Sequence, residues 1–100
     1  MKEVNYKMLG WGEGYGYDLY YKDERINIFK INKLIIKYPN NATETYNKNE
    51  FEINDVKYGV GDLTYHIPEI MITHKAYGMR FNIRSLILEF DCKAFIEEEE

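Results

Sequence analysis

The chain is poor in several features that would announce a function. It has one cysteine, Cys92, in 100 residues. No intramolecular disulfide can form, and no cysteine cluster is present to hold a metal. A domain without disulfides fits a reducing compartment. No apolar run approaches the length of a membrane span. The opening residues, Met1-Lys2-Glu3-Val4-Asn5, lack the apolar core of a secretory signal. A cytoplasmic protein without membrane attachment is therefore expected. Asn41-Ala42-Thr43 matches a glycosylation acceptor, which has no consequence without secretion.

Charge of one sign is also lacking over most of the chain. The net charge is −4, but residues 1–96 carry 13 acidic and 13 basic residues, so the excess lies in Glu97–Glu100. The expected organisation is a single domain over residues 1–96 followed by a solvated acidic tail, 97–100. There is no internal repeat and no linker. No G-x-S-x-G, H-E-x-x-H or Walker sequence occurs, so neither catalytic residues nor a cofactor is expected.

Aromatic side chains are abundant: ten Tyr, five Phe and one Trp. Tyrosine suits half-buried surfaces and strands. Isoleucine, lysine and asparagine are frequent as well, the bias of an AT-rich coding sequence, which points to a low-GC bacterium or its phage.

The dominant hydrophobic period is two, the period of a strand. Val4, Tyr6 and Met8 alternate with polar residues. Leu9, Trp11, Tyr15, Tyr17, Leu19 and Tyr21 share one face, with Gly10, Gly12, Gly14 and Gly16 on the other. Residues 26–38 fit two short strands about an Asn32-Lys33 turn, with a helical stripe as the alternative. Pro39–Asn49 reads as a polar loop. Phe51–Tyr58 reads as a hairpin turning at Asn54-Asp55, with Ile53 opposite Val56 and Phe51 opposite Tyr58. Pro68 closes the alternation Leu63, Tyr65, Ile67. The even positions from Leu86 to Ile96 are all apolar and predict a strand. Phe81 and Ile83 would pair back on it across Arg84-Ser85, placing Arg80 opposite Glu89. The expected fold is mainly β: a small antiparallel barrel, or a strongly bent sheet or sandwich, with one short helix at most. An α+β arrangement is the alternative.

Three functional classes fit these residues. The first is a protein-binding module or inhibitor that occludes a macromolecular partner through Trp11, Tyr15, Tyr17, Tyr20 and Tyr21, since aromatic residues anchor interfaces. Phage inhibitors of bacterial defence enzymes are small chains of this kind. The second is a single-strand nucleic-acid binder using Lys22, Arg25, Lys30, Lys33 and Lys37 with interleaved aromatics, although the pI near 5.2 argues against a basic face. The third is a nucleotide-like small-molecule site at the Gly10–Gly16 strand and Asp62/His66. That strand lacks the dinucleotide-binding spacing. His66 and His74 are spaced for neither a helical nor a strand metal site. Cys92, on an apolar alternation, reads as a buried thiol. A free edge strand would also permit a homodimer.

Overall fold

A computed structural model describes residues 1–8, 17–60 and 63–99. Leu9–Gly16, including Trp11, Tyr15 and the glycine series, lie outside the described residues, as do Gly61, Asp62 and Glu100. In chain order the elements are β1 (Lys2–Met8), β2 (Tyr17–Tyr21), β3 (Glu24–Arg25), β4 (Ile31–Lys37), β5 (Thr43–Asn47), β6 (Phe51–Val60), β7 (Leu63–Thr73), β8 (Arg80–Asn82), α1 (Ile83–Leu88) and β9 (Lys93–Glu98). Single 3-10 turns span Ile28–Lys30 and Lys48–Glu50. The fold is mainly β, with two antiparallel sheets and one short helix. One sheet runs β3-β2-β1-β9-β4-β5 and the other β6-β7-β8, and the described strands do not close into a barrel.

Period-two burial explains the larger sheet. Val4 and Tyr6 on β1, Leu19 on β2, Leu34 and Ile36 on β4, Tyr46 on β5, and Ala94 and Ile96 on β9 all turn to one face and are buried. The register stacks them directly: Tyr6 opposes Leu19, Val4 and Ile36 flank Ala94, and Leu34 lies between Tyr46 and Ile96. Ile70 and Ile72 of β7, Phe51 of β6, and Ile83 and Leu86 of α1 cover this face and complete the core.

Several local expectations change. Residues 31–37 form one strand without a turn at Asn32-Lys33. The β4–β9 register slips between Ile31 and Lys33, so Asn32 is a bulge. The extra residue returns Ile31 to the buried face that Leu34 and Ile36 occupy. The Pro39–Asn49 stretch contains β5, closed by a turn in which Tyr38 N–H donates to the Ala42 carbonyl.

The Asn54-Asp55 hairpin does not form. β6 continues through both residues, so Ile53 opposes Ile70, Asp55 opposes Pro68, and Phe51 opposes Ile72 rather than Tyr58. The longer ladder satisfies more backbone groups, and an Asn-Asp pair without glycine is a weak two-residue turn. Pro68 lies within β7; among the described residues β8 pairs only with Met71–Thr73, so no described strand pairs with the other edge of β7 beside the proline.

Residues 86–96 are not one strand. Asn82 Oδ1 accepts from Arg84 N–H as an N-cap, and Ile83 and Leu86 turn inward at helical spacing. Arg80 opposes Thr73 across β7–β8, not Glu89. Asp91, at φ 56°, redirects the chain into β9. Glu97 and Glu98 complete that strand, Glu98 paired with Lys2 at 2.8 Å, and Glu99 N–H donates to the Lys30 carbonyl.

Candidate functional site

An apolar cleft lies where the turn after β7 meets the loop before β9. The turn is closed by paired backbone bonds: His74 N–H to the Met79 carbonyl (2.7 Å) and Gly78 N–H to the His74 carbonyl (2.8 Å). Gly78 supplies the left-handed φ of +69° that the turn requires. His74 then ties the turn to the larger sheet. Its Nδ1 accepts from the backbone N–H groups of Ala76 (3.1 Å) and Tyr77 (3.2 Å). Its proton therefore resides on Nε2, which faces Glu44 Oε1 at 3.2 Å.

Glu44 and Tyr46 are two apart on β5 and share a face, so the Tyr46 hydroxyl donates to the other Glu44 oxygen. Burial, then the Glu44 contact, raises the Tyr46 hydroxyl above its ordinary value. The Tyr38 hydroxyl is pushed up to about 12 by burial and by the Glu44 charge. Lys75 closes the outside, donating to the Thr45 carbonyl at 2.6 Å and pairing with Glu50 at 3.1 Å.

Aromatic rings assemble on this scaffold. Tyr77 stacks on His74 with centroids 4.7 Å apart and planes at 27°, and Tyr38 tilts against the same imidazole at 5.5 Å. Phe81 meets His74 edge-on at 6.3 Å and Phe90 at 6.4 Å. Together with Pro39, Leu86 and Cys92 they wall a cleft of about 320 Å³. Tyr77 is 76% and Phe90 54% exposed, and Met79 (58%) and Leu88 (43%) are exposed nearby in sequence.

His74 and Cys92, the imidazole and thiol of the cleft, are both already engaged. The two His74 nitrogens have partners, so none is left for Cys92. The Cys92 thiol donates to the Phe90 carbonyl at 3.7 Å, and burial, with the Asp91 charge, raises it. Such a thiol is a poor nucleophile at neutral pH. Among the described residues no cluster of three metal-ligating side chains occurs.

The residues singled out from the sequence fall elsewhere. Tyr17 and Tyr21 lie on the inward face of β2, half-buried against the core, and Tyr20 lies on the opposite face. Each carries a cation: Arg84 over Tyr17 (5.6 Å), Lys7 over Tyr20 (4.9 Å), and Lys2 and Lys22 over Tyr21 (5.2 and 5.3 Å). Of the basic set, Lys22 sits in the β2–β3 turn at φ 55°, and Arg25 pairs with the buried Asp18. Lys30 ends a 3-10 turn, and Lys33 and Lys37 lie on β4. β1 and β9 separate β2 from β4, a distance of roughly 14 Å at ordinary strand spacing. The five cations do not converge on one groove. His66 is exposed.

The cleft residues Tyr38, His74, Tyr77, Phe81 and Phe90 were not selected from the sequence, because they come from separate segments. The one local sign was the Tyr77-Gly78 turn between two apolar stretches. Among the described residues no helix is long and apolar enough to cross a membrane. No protein-family model, curated protein or solved structure matches this chain.

Proposed function

We propose that this protein is a non-enzymatic, cytoplasmic binding module that occludes a protein partner, and that the aromatic cleft is its anchor pocket. The observation that carries this reading is the pair Tyr77 and Phe90, large side chains left mostly exposed at the mouth of an apolar cleft. Large aromatic residues around an apolar depression are the usual composition of interface hot spots. The His74–Glu44–Tyr46 network supports it from beneath. It fixes the turn that presents Tyr77, so little ordering is needed on binding.

The test is quantitative affinity capture with three purified proteins: the wild type, a Tyr77→Ser/Phe90→Ser variant, and a Lys57→Ala control at an exposed position of β6. A partner held by the wild type and the control, resistant to nuclease, and lost by the cleft variant at unchanged melting temperature is expected. Equal retention by all three would overturn the reading. Loss with nuclease would move the function to nucleic acid.

A further inference from the structure

Tyr38 and Pro39 wall the aromatic cleft on one side and, on the other, a polar depression of about 240 Å³. Lys37, Asn41, Asp91 and Lys93 complete that depression. Lys37 and Lys93 are direct cross-strand partners in the β4–β9 ladder. Like charges so placed are unfavourable. Neither forms an ion pair among the described residues. Asp91 is the one carboxylate in the lining, so two lysines and one acid share the depression. An apolar slot and a cationic shelf thus share a wall.

Resting on the docking reading above, we infer that the occupant is an acidic segment of a protein partner. A large apolar or aromatic side chain fills the cleft, and an Asp or Glu lies on Lys37 and Lys93. In an extended segment the two sit within roughly three residues of each other, a reach of about 10 Å. The occupant is a polypeptide rather than a small aromatic acid. Met79 and Leu88, each two residues in sequence from cleft residues, are exposed as well, apolar area that a ligand confined to the slot would leave in water.

The test is peptide display on the intact protein, counter-selected on the Tyr77→Ser/Phe90→Ser variant. The peptides that require the cleft are then measured by fluorescence anisotropy against Lys37→Gln/Lys93→Gln. Those peptides should carry an aromatic or large aliphatic residue with Asp or Glu within three positions. They should lose affinity on the order of tenfold on the double Gln variant, and more at low than at high salt. Cleft-dependent peptides with neutral or basic flanks, or an unchanged affinity on the Gln variant, would overturn the inference while leaving the docking reading standing. Failure to select any cleft-dependent peptide would overturn both. Lys37→Glu separates charge from folding: it should weaken these peptides while raising the melting temperature. A fall in both would assign Lys37 to the fold instead.

Discussion

Lys37 and Lys93 are direct cross-strand partners on β4 and β9, and both line the polar depression that shares Tyr38 and Pro39 with the apolar cleft. Reversing one charge should turn repulsion into attraction. Lys37→Glu is expected to stabilise the domain by about 0.2–1 kcal/mol, the range of a favourable cross-strand pair. At about 4–8 °C per kcal/mol for a chain of this size, calorimetry should record a rise of a few degrees. A lower melting temperature would mean that the aliphatic stem of Lys37 matters more to packing than its charge.

Glu44 accepts from two buried residues, His74 and Tyr46. Glu44→Ala leaves both donors without an acceptor, and each orphaned donor costs about 1–3 kcal/mol. The denaturation midpoint should fall, and the His74 turn should lose amide protection in hydrogen exchange before the β1–β9 core does. Glu44→Gln, which keeps an acceptor, should be milder. An unchanged midpoint for the Ala variant would show that water replaces the carboxylate freely.

Glu69 is a buried carboxylate held by Asn82 Nδ2 at 2.6 Å and Arg84 at 3.2 Å. Burial raises its carboxyl above the ordinary value, and the Asn82 bond opposes the rise. Between the unfolded and the folded value, the folded chain therefore binds more proton at Glu69 than the unfolded chain does. The stabilisation is complete below the unfolded carboxylate pKa and is lost as pH rises through the folded one. The melting temperature of Glu69→Gln, relative to wild type, should climb as pH increases from about 4 upward. A difference that stays flat across the series would contradict the raised carboxyl.

Gly78 holds φ +69° in open space, since a Cβ there would meet nothing within 4 Å. Backbone strain alone decides a substitution at this position. Gly78→Ala should cost about 1 kcal/mol, and Gly78→Asn less, because asparagine tolerates the left-handed region. Thermal unfolding of the two variants checks the order. The reverse order would place the strain elsewhere in the turn.

The strands with one buried face were legible in the sequence. Val4 and Tyr6, and then Tyr17, Leu19 and Tyr21, announce themselves by alternation because the residues between them are mostly polar. β5 was hidden because Tyr46 is its only apolar residue, with Thr43 and Thr45 on the outer face. From Leu86 to Ile96 every even position is apolar, yet Leu88 and Phe90 are exposed. Period two there is a coincidence of helix and loop, and the Asn82 cap decides for the helix. The cleft was illegible for a different reason. Tyr38, His74, Phe81 and Phe90 meet only because β9 inserts between β1 and β4 and the β7–β8 sheet folds over them. No local period encodes that meeting. The tyrosines that sequence composition favoured, Tyr17 and Tyr21, lie against the core instead.

The most direct measurement is site-specific photocrosslinking, with p-benzoylphenylalanine replacing Tyr77 in one protein and exposed Lys57 in another, in extract of the source cell. A discrete protein adduct from position 77, competed by excess unlabelled wild type and absent from position 57, is the predicted result. Adducts from position 57 but none from position 77, with both proteins folded, would contradict the assignment of the cleft as the docking site.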